Sequence, residues 1–339
     1  MKPQYFTFLA VAAAASLGAA MAIYTAEAPW SRVAAGGGKL FPALQNDITK
    51  VARIEVRQGT STVALERSGE QWLFEERGGF PASTDKVRAL LEGLAQAELT
   101  EPKTRNPDRY KILELEDPLA KDANARLVRL VDDTGAAVAE LVVGKQRSDA
   151  SGAGKGGTYV RKPGDVQTWL INTEIGGGTG LRDWTKSRLF ETAPEKITKL
   201  RIELPGEQAY DIVRDASGEQ KLADMPAGKK LKFANLIDNI LDATAVMDFD
   251  DVRKAEGTAG GGEAGTTTVE TENGLKVTFK VRRDKDAAWI TLSAAGEGEA
   301  KKQADEISAR ANGWEFKILP SQADAMLKRH DDLLEDSPS

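Results

Sequence analysis

The chain has 339 residues, 41% hydrophobic and 29% charged, an ordinary globular composition with length for about two domains. A net charge of −6 supplies no basic field, so nucleic acid is not an expected partner. Cysteine is absent and histidine occurs once, at His330; this excludes disulfides and thiolate chemistry and removes most histidine-dependent catalysis and metal binding.

Residues 5–24 carry no charge, and twenty helical residues span about 30 Å, the thickness of a bilayer core. Lys2 precedes the stretch, while Tyr5, Tyr24 and Trp30 flank it like an interfacial aromatic belt. Residues 1–28 therefore read as a transmembrane anchor. The rival is a cleaved signal segment, because Ala26-Glu27-Ala28 fits a small-x-small site. Both readings carry the bulk of the chain across the membrane. Residues 29–46, with Gly36-Gly37-Gly38 and Pro42, read as a tether.

A first unit, residues 47–180, opens with a strand in which Ala52, Ile54 and Val56 alternate with Arg53, Glu55 and Arg57. Val63 and Leu65, then Trp72 and Phe74, make two more strands joined by the Ser68-Gly69-Glu70 turn. A helix capped by Ser83 or Thr84 follows, with Val87, Leu90, Leu91 and Leu94 on one face. Strands are predicted at 127–131, 140–143, 158–161 and 168–171.

The second unit, 181–336, repeats that order. Leu200, Ile202 and Leu204 alternate, Tyr210 and Ile212 follow, and Phe233, Leu236, Ile237, Ile240 and Leu241 give a helical stripe. Leu275, Val277, Phe279 and Val281 make a strand, as do Ala288, Ile290 and Leu292, and Trp314, Phe316 and Ile318. A helix absent from the first unit is predicted near 301–311.

The repetition is literal in places. Ile48-Thr49-Lys50 returns as Ile197-Thr198-Lys199, and Ser68-Gly69-Glu70-Gln71 as Ser217-Gly218-Glu219-Gln220, both 149 residues on. Arg53-Ile54-Glu55 returns as Arg201-Ile202-Glu203, one residue out of step, and the helix stripes match at an offset of 146. Tyr159/Pro163 answers Phe316/Pro320 at 157. The expected fold is α+β: two tandem repeated units, each an antiparallel sheet with one or two packed helices, after an N-terminal transmembrane helix.

Several segments together resemble a known family. They are Ala52-Arg53-Ile54-Glu55-Val56, Trp72 after its turn, the Asp85 to Leu94 helix, Gly157-Thr158-Tyr159-Val160-Arg161, Leu181-Arg182-Asp183-Trp184, and Gly313-Trp314-Glu315-Phe316-Lys317. Their order is similar to that of the bacterial "domain of unknown function 4340" family. The resemblance implies an N-terminal membrane anchor and association with ABC-type transporter components related to gliding-motility proteins. It implies no catalytic residue. The expected location is thus the bacterial inner membrane, single pass, with the bulk in the periplasm.

Candidate sites are sparse. Gly152-Ala153-Gly154-Lys155-Gly156-Gly157-Thr158 lacks the Gly-Lys-Ser/Thr opening of a helix that cradles phosphate, and reads as a hairpin loop. His330 lies on a predicted helical stripe with Ala323, Met326 and Leu327, with no second ligand to complete a site. Asp248, Asp250 and Asp251 lack the central glycine of a calcium loop. Asp331, Asp332, Glu335 and Asp336 read as a solvated tail. Arg182, Asp183, Trp184 and Arg188 are the interaction candidates, because Trp and Arg supply binding hot spots. Their other reading, the favoured one, is that Trp184 plugs the junction between the two units and the arginines pair locally. The expected role is a non-enzymatic accessory or binding subunit without cofactor, set against a carboxylate-based envelope glycan hydrolase or a structural spacer.

Overall fold

The structure, a computed structural model, describes residues 38–147, 156–255, 263–284 and 286–337. The expected span at 5–24 and the cleavage site at 26–28 lie outside the described residues. Among those described, no helix is long and apolar enough to cross a membrane.

In chain order the elements are α1 (Leu44–Asp47), β1 (Val51–Gln58), β2 (Ser61–Ser68), β3 (Gln71–Phe74), β4 (Phe80–Pro81), α2 (Thr84–Gln96), β5 (Leu99–Pro102), β6 (Arg126–Asp132), β7 (Ala137–Arg147), β8 (Gly157–Arg161) and β9 (Thr168–Ile171). There follow β10 (Arg188–Glu191), β11 (Ile197–Glu203), β12 (Tyr210–Arg214), β13 (Gln220–Leu222), β14 (Lys229–Leu231), α3 (Leu236–Ala245), β15 (Val246–Asp248), β16 (Asp251–Lys254), β17 (Glu263–Thr271), β18 (Lys276–Asp284), β19 (Ala287–Ala295), α4 (Glu299–Ala311), β20 (Trp314–Ile318), α5 (Pro320–Met326) and β21 (Leu334–Asp336). The ladders are antiparallel, and with the helices they make an α+β fold.

The chain condenses into two compact units. Unit 1 runs to Thr62 and resumes over Arg88–Thr179; unit 2 takes Val63–Val87 and the chain from Gly180 onward. In unit 1 the strand order is β1-β6-β7-β8-β9-β5. Ile54 and Val56 are fully buried, while Arg53, Glu55 and Arg57 share the other face as ion pairs of 2.9 and 3.1 Å. Packing begins at the first described residues. The Leu40 N–H donates to the Ala97 carbonyl (2.8 Å), the Leu99 N–H to the Gly38 carbonyl (3.0 Å), and Leu40 and Leu44 are buried.

In unit 2 the order is β13-β12-β11-β17-β18-β19-β20-β16. Writing β11, β17, β18, β19, β20 and β16 in place of β1, β6, β7, β8, β9 and β5 makes this path coincide with that of unit 1. The residues that correspond are not the ones the literal repeats pick out. Ile48–Lys50 is a 3-10 turn, whereas Ile197–Lys199 lies in β11. The turn that answers it is Pro194–Lys196, and the buried residues Val51, Ile54 and Val56 answer Ile197, Leu200 and Ile202 at 146. A bulge follows the first residue of both ladders, between Val51 and Arg53 and between Ile197 and Lys199. Arg-Ile-Glu survives a two-residue slip because a shift of two keeps every side chain on its face.

The helices correct the other offset. The buried stripe of α3 is Ile237, Ile240, Leu241, Thr244 and Ala245, which answers Val87, Leu90, Leu91, Leu94 and Ala95 at 150. Phe233 is not in the stripe; it precedes the helix and is exposed. Tyr159 in β8 answers β19, not Phe316, because β8 and β19 hold the same place in the order. The extra helix of unit 2 is α4, inserted where unit 1 has only the turn from β8 to β9.

Further differences have local causes. The predicted helix reaching His330 ends at Met326; His330 opens a 3-10 turn, its ring 5.4 Å from that of Tyr210. The Tyr210 hydroxyl donates to the Lys328 carbonyl (2.6 Å), and burial pushes its pKa up. The acidic tail is partly structural. Glu335 and Asp336 lie on β21 opposite Lys230 and Lys229, with ion pairs of 3.0 and 2.7 Å. β17 escapes sequence patterning because threonine takes core places: Thr267 is fully buried and its hydroxyl donates to the Met326 carbonyl (2.6 Å).

Candidate functional site

The candidates at 182–188 and the acids at 248–251 converge within unit 2. A 3-10 turn over Leu181–Asp183 starts the segment, and the Asp183 carboxylate accepts the Gly180 N–H (2.9 Å). Asp183 is thereby a cap for its own turn. Trp184 is fully buried, so its area serves packing inside the unit. Its carbonyl accepts the Ser83 N–H (2.6 Å), and Lys86 Nζ donates to the carbonyls of Arg182 (2.6 Å) and Thr185 (3.1 Å). Residues 83–86, upstream by about a hundred positions, thus clamp the turn.

The β10–β15 ladder sets Arg188 opposite Asp248. Their contact is a fork, Nε to Oδ1 at 2.8 Å and NH2 to Oδ2 at 3.1 Å, and Glu191 adds a third oxygen at 2.6 Å. Asp248, then Glu191, hold the Arg188 guanidinium above its usual pKa. Arg182 meets Asp250 at 2.7 Å, and Arg77 meets Asp251 at 2.8 Å. Each acid of the cluster therefore has an arginine. Arg77 had no signal in the sequence, since it lies 174 residues from its partner.

Between Asp248 and Asp250, Phe249 turns inward and is fully buried. Its ring lies 4.9 Å from Phe316 and 5.9 Å from Phe80; Phe80 in turn lies edge-on to Trp314 at 5.0 Å and to Phe316 at 6.0 Å. The Arg310 guanidinium lies 5.9 Å over the Phe249 ring, donates to the Arg188 carbonyl, and has its pKa lowered by burial. An aromatic core thus fixes the loop that carries the acids. Beside it a groove of 620 Å³ opens, lined by Arg182, Asp242, Asp248, Asp250, Leu319 and Gln322 among others. The Gln322 amide fastens its floor, donating to the carbonyls of Ala243 (2.7 Å) and Val246 (2.8 Å).

Such a groove can recognise charge and apolar area together, because Arg182 is paired with Asp250 and Asp248 is held by the fork of Arg188. Carboxylates bound to arginine are poor metal ligands. Among the described residues no cluster of His, Asp or Glu has metal-holding geometry. His330 lies outside the groove, in a separate cleft with Tyr210 and Arg329. Of the glycine-rich loop, residues 152–155 lie outside the described residues, while Gly157 enters β8 directly, so no helix follows to hold phosphate.

Sequence reasoning also missed a buried carboxylate in each unit. Glu55 on β1 lies among Arg53, Arg57 and Arg129. Glu315 on β20 takes Arg253 at 2.8 Å and Arg282 at 2.7 Å, and Arg253 stacks 3.9 Å over Trp289. The matching of charge across neighbouring strands was the available signal.

A family model described as a domain of unknown function (DUF4340) matches residues 72–276, more than half of the chain. No curated protein matches, and no solved structure does.

Proposed function

The chain belongs to the DUF4340 family, and we propose that it is a non-enzymatic binding subunit of a bacterial membrane complex, anchored once through residues 5–24 with its bulk in the periplasm. Its exported part is a duplicated unit, and its partner is a membrane protein of the ABC-transporter class. The observation that carries the binding role is the groove of unit 2, where Arg182–Asp250 and Arg188–Asp248 stand as fixed pairs over the Phe249 core. Preset charge beside exposed Leu319 suits recognition of a protein segment, since little side-chain freedom is lost on docking.

Purification of the full chain from detergent-solubilised membranes tests this. Transporter subunits co-purify with the wild type. Arg182→Glu, on the groove wall, reduces their recovery, while a same-charge Arg182→Lys retains most of it. Recovery of no transporter subunit, or equal recovery with Arg182→Glu, refutes the proposal.

A further inference from the structure

Unit 1 carries a surface that the groove does not explain. The 3-10 segment Pro107–Leu113 runs beside the turn from β8 to β9. The Tyr110 hydroxyl donates to the Val166 carbonyl at 2.7 Å, the Arg161 guanidinium lies 4.9 Å over the Tyr110 ring, and the Lys103 N–H donates to the Thr168 carbonyl at 2.8 Å. This juxtaposition leaves Ile112 63% and Val166 48% exposed. Around them Arg105, Arg109, Lys111 and Lys162 are exposed and have no carboxylate partner among the described residues. Among the described residues most other cations are ion-paired; the four cations here are not, and they outnumber the exposed carboxylates of the same segments, Asp108 and Asp165. Lys162 lies 5.1 Å over the ring of Phe41, which ties the patch to the first described stretch of chain.

That stretch says what lies opposite. Residues 25–37 separate the uncharged span from Gly38; thirteen residues reach at most about 45 Å. Unit 1 is thus held within about one domain diameter of the bilayer, with Phe41 and Lys162 at the point where the chain arrives. We infer that the surface formed by Ile112, Val166, Arg105, Arg109, Lys111 and Lys162 rests on the anionic phospholipid surface of the membrane that holds residues 5–24. The aliphatic side chains enter the headgroup region and the four cations meet lipid phosphates. The inference depends on the anchor reading and fixes which face of unit 1 is membrane-proximal.

The absence of cysteine makes the test clean. Single Ile112→Cys and Val166→Cys variants of the full chain are labelled with an environment-sensitive fluorophore and reconstituted into vesicles of phosphatidylcholine alone or with anionic phosphatidylglycerol. Ala216→Cys, in the β12–β13 turn of unit 2, is the control. In anionic vesicles the labels at 112 and 166 shift to the blue and are quenched by bromolipid, and the control is not. Reversing charge with Arg109→Glu and Lys111→Glu together lowers the shielded-to-exposed ratio by roughly an order of magnitude or more. Labels that stay in water in anionic vesicles overturn the inference; so does shielding seen only in native membranes, which assigns the surface to a protein partner. Alkaline extraction separates the two levels. If the chain leaves the membrane, the anchor reading has failed; if it stays while the labels remain in water, only this inference has.

Discussion

Phe80→Ala tests whether residues 63–87 belong energetically with the chain beyond 180. Phe80 is 2% exposed and lies within 6.0 Å of three rings, those of Phe249, Trp314 and Phe316. Truncating a buried phenylalanine costs about 3–5 kcal/mol. Edge-on ring pairs add about 0.5–1.5 kcal/mol each beyond area, so the upper half of that range, about 4–5 kcal/mol, is expected. That is about a quarter or more of the stability of an ordinary domain. Urea denaturation gives the total, and native-state hydrogen exchange gives its location. Protection falls in β16 and β20, where Phe80's partners lie or adjoin, while β6 and β7 of unit 1 keep theirs. A cycle with Phe249→Ala shows coupling of about 1 kcal/mol. A loss below 1 kcal/mol, or protection lost only in β6 and β7, refutes the reasoning.

Other expectations follow from single sites. Trp184→Ala costs about 3–5 kcal/mol in thermal or urea unfolding because the side chain is fully buried, whereas Arg182→Ala stays within about 1 kcal/mol; equal effects sink that contrast. Gly144→Ala costs about 2 kcal/mol or more, since a Cβ there would sit 2.2 Å from the Leu113 carbonyl oxygen and 2.8 Å from that of Glu114; an unchanged urea midpoint contradicts the close approach. Glu315→Ala removes the buried carboxylate shared by Arg253 and Arg282 and costs about 3 kcal/mol, with Glu315→Gln milder. Asp215 is held below the usual carboxylate pKa by the Ser217 hydroxyl first, then Lys221 and backbone N–H groups. A depressed folded pKa gives stability present above the unfolded value of 3.8 and lost as pH falls through the folded one. The Asp215 carboxylate signal in an NMR titration therefore stays ionised below pH 3.8, and a midpoint at or above that value defeats the prediction.

Period-two and period-3.6 patterns made most core elements legible. The strand Leu275 to Val281 needed only alternation and the α2 stripe only the 3.6-residue period, because one face of each is wet. β17 was hidden because buried threonines satisfy their hydroxyls on carbonyls, which a hydrophobic pattern does not register. The offsets misled for a different reason. Ile-Thr-Lys forms a 3-10 turn at 48–50 but the start of a strand at 197–199, and Ser-Gly-Glu-Gln lies at surface turns where little constrains identity; the buried positions Val51 and Ile197 and the bulges beside them carry the structural register. At the site, Arg182, Arg188 and the acids were visible as residue types. Their pairing was not, since Arg77 and Asp251 meet only through the tertiary fold.

The division of the chain sets a timetable for its own folding. Phe80 leaves the ribosome 236 residues before Phe316. At roughly 5–20 residues per second that is a delay of about 10–50 s. Until Phe249 is made, 169 residues after Phe80, β3 and β4 have their strand partners and the Phe74 ring but none of Phe249, Trp314 and Phe316. A piece beginning at residue 181 inherits the reverse defect: Phe249, Trp314 and Phe316 with an empty place where Phe80 belongs. Neither half of the polypeptide can complete the second unit alone, so truncation at the apparent repeat boundary yields an adhesive fragment, and supplying residues 63–87 in trans restores its solubility.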